Sequence, residues 1–189
     1  MEAKGQIVKF YRLDAVNCAA YREKFIDLYL HAFTRGRHAQ AIVPEMVERL
    51  LDDLLCDGLG ILALDGDRLV GWVAAFPLNR ETDFPREKYR DVVVAESLYI
   101  SEVMVHEDYR GRGIATRMIG GLLREAERDY SYAVIRVWQE NRPAMVLYRK
   151  LGFVPLGVIS QIKMNAAGEE FEMEKVYLGK QMEIRNHHS

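Results

Sequence analysis

Cysteine is scarce in this chain, positive charge is not in excess, and no apolar run is long. Cys18 and Cys56 are the two cysteines among 189 residues. They stand far apart in segments that read as helical, so they are expected to be reduced core residues of a cytoplasmic protein, with nothing to support a disulfide. The formal net charge is -2 and the pI about 6.2. A nucleic-acid partner, which normally requires an overall basic surface, is therefore not expected. No run approaches the roughly 20 apolar residues that cross a bilayer, and the polar N-terminus is not that of a signal peptide, so no membrane association is expected either. Repeats, low-complexity tracts and linkers are also missing. What remains is a chain with 49% hydrophobic residues, enough for one substantial core, and residues 1–189 read as a single domain. His187 and His188, near the C-terminus, are given no role.

Patterning supplies the element order. Gln6 to Leu13 reads as a first strand, and Asp14 as the N-cap of a helix from Ala15 to Phe33, where Tyr21, Phe25, Leu28 and Tyr29 recur at helical intervals. Thr34 to Gln40, with Gly36, is a break. Val43-Pro44 opens a second helix with the apolar stripe Met46, Val47, Leu50, Leu51, Leu54 and Leu55, and Gly58 ends it. Leu59 to Leu64 and Leu69 to Phe76 are apolar runs joined by Asp65-Gly66-Asp67-Arg68, a hairpin signal. Pro77 to Asp91 mixes Arg80, Arg86, Lys88 and Arg90 with Glu81, Asp83, Glu87 and Asp91; so long a connection is either functional or a solvated loop.

Downstream come a strand from Leu98 to Val105, a helix ending near Arg128 or Asp129, and a short buried strand, Tyr132 to Trp138. A further helix has Pro143 in its first turn and Gly152 at its stop. Two last strands, Gly157 to Met164 and Glu170 to Leu178, flank the turn Asn165-Ala166-Ala167-Gly168. Phe171, Met173 and Tyr177 alternate with Glu170, Glu172 and Glu174, so one face of the final strand is wet. This order predicts a three-layer α/β/α arrangement around a mixed, mostly antiparallel sheet of about seven strands with about four helices.

The stretch around which the rest is organised is Glu102 to Ala115, EVMVHEDYRGRGIA. A strand ends at Val103-Met104-Val105, a polar turn follows, and Arg110-Gly111-Arg112-Gly113 opens a helix whose Ile114, Met118, Ile119, Leu122, Leu123 and Ala126 share one face. The first amides of a helix have no internal partner and its dipole favours an anion there; glycines permit close backbone approach and two arginines add charge. The pattern points to a phosphate site, most naturally a pyrophosphate; the plain alternative is an exposed turn.

That stretch resembles the pyrophosphate-binding motif of the GCN5-related N-acetyltransferase (GNAT) family, Gln/Arg-x-x-Gly-x-Gly/Ala, with Arg110, Gly113 and Ala115 at its fixed positions. A second block, Asn141 to Phe153, resembles the family's next motif: an Asn, a small residue (Ala144), a Tyr (Tyr148) and a closing Gly-Phe (Gly152-Phe153). The resemblance covers about Leu69 to Phe153 and reaches the flanks only through element order. It implies a GNAT-like fold in which two central strands part after a bulge, and acetyl-CoA as acetyl donor. The thioester and pantetheine arm would lie along Val103, Met104 and Val105. The amides of Gly111, Arg112, Gly113, Ile114, Ala115 and Thr116 would cradle the diphosphate, with charge from Arg110 and Arg112, and Asn141 and Ala144 would also meet the cofactor.

By the same resemblance the activity is an N-acetyl transfer to a primary amine by direct attack in a ternary complex. Two proton movements are then needed, because an alkyl amine (pKa about 10.4) is mostly protonated near pH 7 and the departing thiolate must be neutralised. Tyr148 is the candidate acid; alternatively it is one member of an apolar helical stripe. Glu102 is the candidate base, because a carboxylate in an otherwise apolar strand needs a reason; alternatively it pairs with an arginine at a strand edge. Glu96 is a second choice and His106 a third, while Tyr99 and Ser101 occupy positions where relatives carry a base and offer no obvious one. Asn141 can cap its helix as well as bind the pantetheine arm. No metal site is expected. A different reading of the same fold is a catalytically silent acyl-CoA-binding or sensing module.

The acceptor, a small-molecule or protein amine, is expected to be read by the first helices, the Pro77 to Asp91 loop and the last hairpin. Asp52, Asp53, Asp83, Glu87, Glu170, Glu172 and Glu174 would suit a cationic acceptor such as a polyamine, and are equally what a soluble surface carries. The last strands would allow a homodimer, though no residue specifies one.

Overall fold

Local chemistry decides where the elements start and stop. In a computed structural model describing residues 7–34, 39–165 and 167–183, the Asp14 carboxylate accepts the amide of Asn17 at 2.8 Å and Asn17 Oδ1 accepts the amide of Asp14 at 2.9 Å. This reciprocal cap satisfies two amides that the helix cannot, and α1 (Ala15–Phe33) begins there after β1 (Lys9–Arg12). Pro44 occupies the first turn of α2 (Pro44–Asp57), where its missing N–H is not needed. A hairpin joins β2 (Leu59–Asp65) to β3 (Arg68–Pro77). The central pair of its turn is Gly66-Asp67, with positive φ at Gly66 alone (58°), so the chain reverses one residue later than the Asp65-Gly66 pair suggests.

Then follow β4 (Ser97–Val105), α3 (Ile114–Ala126), β5 (Tyr132–Trp138), α4 (Arg142–Lys150), β6 (Val154–Met164) and β7 (Glu170–Gln181). The helix α3 stops earlier than the sequence suggests, because the Ala126 carbonyl is taken by the amides of Asp129 and Tyr130 in a closing turn. Both β6 and β7 are longer than expected, and β1 is shorter. Gln6, Gly36, Ala166, His187 and His188 lie outside the described residues.

The seven strands form one sheet in the order β1-β2-β3-β4-β5-β7-β6, antiparallel throughout except for β4 and β5. These two are parallel, as the crossover through α3 requires. On one face α1 and α2 bury Phe25, Leu28, Leu51 and Leu54 against Leu62, Trp72, Ala74 and Met104. On the other, α3 and α4 bury Met118, Ile119, Leu122 and Tyr148 against Val73, Ile100 and Ile135. The arrangement is the expected three layers. Among the described residues no helix is long and apolar enough to cross a membrane.

The two cysteines differ. Cys18 is fully buried, but Cys56 is exposed, contrary to the sequence reading, because α2 buries the stripe Val47, Leu51 and Leu54 and turns Cys56 outward. The long connection after β3 is more than a solvated loop: Leu78, Phe84 and Val92 are buried with Tyr99, Val134 and Tyr177, and the Phe84 and Tyr177 rings meet edge to face at 5.2 Å.

Phe25 is fully buried and lies edge to face with Trp72, ring centroids 5.2 Å apart, at the centre of the α1 layer. Phe25→Ala is expected to cost about 3–5 kcal/mol through lost contact and the cavity left behind. Urea unfolding monitored by the fluorescence of Trp72 and Trp138 measures it; a loss under about 1 kcal/mol would show that this layer is loosely packed.

Candidate active site

The site is made by a pairing that stops. Ser97 to Ile100 of β4 pair in register with Tyr132 to Ile135 of β5, and beyond Ile100 the two strands have no further partners on each other. On the opposite edge of β4, Ala75 pairs with Ile100 and Ala74 with Glu102, so Ser101 is an extra residue, a bulge, whose hydroxyl donates to the Ala74 carbonyl at 3.3 Å. A bulge sharpens local twist and bends its strand. Here it also shifts the side-chain alternation, placing Glu102 on the same face as Tyr99 and Met104, toward α1. The parted strands open a cleft of about 760 Å³ lined by Ile100 to Val103, Ile135 to Trp138, Tyr29, Asn141 and Tyr148, with Lys163, Met173 and Lys175 from the last hairpin. That volume suits a small-molecule site.

At one end of β4 lies the glycine turn. Gly111 and Gly113 both have φ of 73°, a left-handed conformation that L side chains adopt at a cost, and nothing lies within 4 Å of where a Cβ would stand on either. Gly113 is the N-cap of α3 and makes no side-chain cap, so the first amides of a thirteen-residue helix face open space. This open turn at the start of α3 is where the sequence leads one to expect a diphosphate. Its residues divide by role. Ile114 is buried in the core and Met104 packs under α1, so only their backbones are available to a ligand. Arg110 Nε donates to the Val105 carbonyl at 3.2 Å, while Arg112 donates to the Asp108 carbonyl at 2.8 Å and stacks on Tyr109. Both arginines brace the turn, and both are exposed. Ala115 is half-buried and Thr116 exposed.

The second block is held as tightly. Asn141 Oδ1 accepts the Ala144 amide at 3.2 Å, capping α4, and Asn141 also lines the cleft. Ala144 packs at the margin of the core. At the other end the amide of Phe153 donates to the Tyr148 carbonyl and that of Gly152 to the Arg149 carbonyl, both at 3.0 Å, with Gly152 at a φ of 87°. This is a Schellman stop, and the Phe153 ring packs edge-on against Tyr148 (6.2 Å) as its hydrophobic contact. The closing Gly-Phe thus fixes the residue whose phenol enters the cleft.

Glu102 and Tyr148 line the same cavity from opposite faces of the sheet. Burial raises the Glu102 carboxyl from 4.5 to about 7, opposed by a long hydrogen bond from Tyr29 (3.4 Å) and by the charges of Lys175, Arg136 and Lys163. No cation pairs with it among the described residues, so the edge pairing with an arginine does not form. Burial, then the nearby Glu102 charge, pushes the Tyr148 phenol above its ordinary value and keeps it protonated at neutral pH. The other proposed bases are elsewhere. Glu96 is exposed at the paired end of β4, accepting from the Ser131 hydroxyl at 3.1 Å. His106 sits in a separate surface pocket, near Asp108 and Arg68 and stacked on His31. Tyr99 and Ser101 do line the cleft.

Several cleft residues escape the sequence reading. Arg136 donates to Glu81 at 3.1 Å, to Asp83 at 3.4 Å and to Tyr177 at 3.1 Å, and the Arg136 and Glu81 side chains are only 14% and 11% exposed. A lone arginine inside the apolar run YAVIRVW is the signal that could have found it. Lys175 is likewise the one charge on the inward face of β7, between Met173 and Tyr177. Of the acidic residues proposed for acceptor binding, Asp52 pairs with Arg22, Asp53 with Arg80 and Glu172 with Ser160, and none of the seven lines the cleft.

Comparison with known proteins adds to this geometry. The model of the acetyltransferase (GNAT) family matches residues 21–153. A curated relative, the L-2,4-diaminobutyric acid acetyltransferase of Shouchella clausii (strain KSM-K16), is 32% identical over 96 residues, which make up 50% of this chain and 47% of that protein. The chain thus aligns with about half the length of that relative. A structure from Acinetobacter baylyi ADP1, described as an acetyltransferase, superposes with a TM-score of 0.73 at 17% identity, covering 99% of this chain and 98% of that one. The ribosomal-protein-alanine N-acetyltransferase of Brucella melitensis gives 0.69 at 19% identity over 93% and 99%. Arabidopsis thaliana NAA60 in complex with acetyl-CoA gives 0.67 at 16% identity over 93% and 98%. At these identities the structural matches establish the fold.

Glu102 has a pH signature. Its folded pKa, about 7, lies above the unfolded value near 4.5, so the folded state binds the extra proton and the group's contribution to stability falls as pH rises from about 4.5 through 7. Glu102→Gln removes that loss. Relative to wild type the variant is expected to gain on the order of 1–3 kcal/mol between pH 5 and pH 8. Denaturant melts of both proteins at each pH measure the difference; a gap that does not change with pH would mean that the carboxyl is ordinary.

Proposed function

The chain belongs to the acetyltransferase (GNAT) family, and from that premise we propose that it moves an acetyl group from acetyl-CoA to a primary amine by direct attack, donor and acceptor being bound together. The observation that carries this reading is the gap between β4 and β5, with Glu102 on one wall, Tyr148 on the other, and the open glycine cradle at the end of the same strand. When bound, acetyl-CoA supplies the activated acetyl thioester.

The residues of the chain do the rest. The amides from Gly111 to Thr116 hold the diphosphate, and the edge of β4 left free beyond Ile100 offers backbone groups to the extended arm, as a strand edge does to a peptide. Glu102, with a carboxyl near 7, takes the amine proton directly or through a water; a carboxylate at 4.5 would be a far weaker base toward an ammonium. Tyr29 holds that carboxyl in place. Tyr148 Oη keeps its proton at neutral pH and presents it to the departing sulfur as charge builds there. The relative is named for acetyl transfer to L-2,4-diaminobutyric acid, which favours a small-molecule amine over a protein amine as acceptor here.

Two substitutions separate the parts. Tyr148→Phe is expected to lower kcat by about 10²-fold or more while coenzyme A affinity stays within about twofold; an unaltered kcat would remove Tyr148 from the chemistry. Gly113→Glu brings bulk and negative charge to the cradle and is expected to weaken coenzyme A binding at least about tenfold in a calorimetric titration. Undiminished affinity in a folded variant would place the diphosphate elsewhere. Tight coenzyme A binding with no thioester consumption across a panel of amines would favour the silent binding module.

A further inference from the structure

The cleft contains two cations that form no ion pair with a carboxylate among the described residues. Arg136 is held by Glu81 and Asp83. Lys163 and Lys175 are different: both line the cavity, and neither forms an ion pair among the described residues. They stand on the β6–β7 hairpin, Lys175 opposite Ile159 and Lys163 opposite Phe171, at positions that the two-residue period puts on one face. That face is otherwise apolar or neutral where it meets the cleft, with Met173 between them. Lys175 is half-buried, and burial together with Arg136 and Lys163 lowers its pKa to about 8, so it is still mainly charged at neutral pH. Glu102 and Glu81 favour the charged form from a distance, but a partly buried ammonium with no direct ion pair still gains from an anion brought against it.

In the same cavity Glu102 presents the complementary need. It lies in the field of both lysines but pairs with neither. Of the other carboxylates lining the cleft, Glu81 is engaged by Arg136 and Glu140 is exposed at the rim. The cavity therefore offers one place for an amine and, apart from it, one for an anion.

We infer that the acceptor is a small amino acid, its reacting amine at Glu102 and its carboxylate held by Lys175 with Lys163 beside it. This rests on the acetyltransferase reading above and narrows it. A polyamine, which the acidic surface residues would suit, would instead bring its second ammonium toward two lysines that have no direct ion pair among the described residues. A protein N-terminus would offer them a neutral peptide group in place of a carboxylate.

The test compares each amino acid with its decarboxylated counterpart: diaminobutyrate against diaminopropane, ornithine against putrescine and lysine against cadaverine, with a peptide bearing a free N-terminus and an amidated C-terminus as a further acceptor, all at saturating acetyl-CoA. At least one amino acid is expected to exceed its counterpart by about tenfold to a hundredfold in kcat/KM, mainly through KM. Lys175→Met is expected to bring that ratio close to one, and Lys175→Arg to retain most of it; coenzyme A affinity reports that each variant is folded. Equal use of both members of every pair, or a ratio that survives in Lys175→Met, overturns the assignment. Turnover confined to the peptide overturns it too and leaves the acetyltransferase reading standing, whereas failure of the wild type to bind acetyl-CoA removes both.

Discussion

Everything in this molecule follows from two neighbouring strands that hydrogen-bond for four residues and then part. Had β4 and β5 stayed paired, the sheet would be closed and the two helical layers would be isolated from each other. Because they separate, side chains from both layers reach one cavity: Tyr29 from α1 on one side and Tyr148 from α4 on the other. The extra residue Ser101 produces the change of direction and also decides sidedness, since strict alternation from Tyr99 would send Glu102 to the α3 face. One inserted residue thus bends the strand and aims its carboxylate.

The charges of the cleft fall into two kinds. The Arg136–Glu81 pair is nearly dry and ties the long connection after β3 to β5, with the Tyr177 hydroxyl closing the group. A pair so buried contributes little net stability, because desolvation offsets attraction, but it strongly favours one position for the loop. Glu102, Lys163 and Lys175 are of the second kind, close enough to influence one another and unpaired. Groups of that sort favour a ligand of complementary charge, since they are held in place and partly desolvated before anything binds.

Much of this was readable from the residues. Element order, the capping roles of Asp14 and Asn141, and the strand-turn-helix around Arg110 to Gly113 all follow from local chemistry that tertiary contacts do not override. Glu102 stood out because a carboxylate in an apolar strand is hard to explain otherwise. What could not be read was partnership at long range. Nothing local says that Glu81 and Asp83, more than fifty residues before Arg136, will meet it. Nor does composition distinguish Asp52, which pairs with Arg22 on the outside, from Glu102 within. The alternation of β7 marks its wet glutamates, while Lys175 stands among the residues of the other face; burial separates the two kinds, and burial is a property of the packed sheet. The exposed Cys56 and the separate pocket of His106 mark the same limit.

The stop of α4 has a last implication. Gly152 carries no side chain and does not line the cleft, yet its left-handed backbone turns Phe153 back onto Tyr148, while Lys180 from β7 donates to the Leu151 carbonyl at 2.6 Å just before it. A side chain at Gly152 would be strained in that conformation and would crowd the Lys180 ammonium at 3.0 Å. The reach of the phenol is therefore gauged from outside the chamber, by a hinge pin of bare backbone.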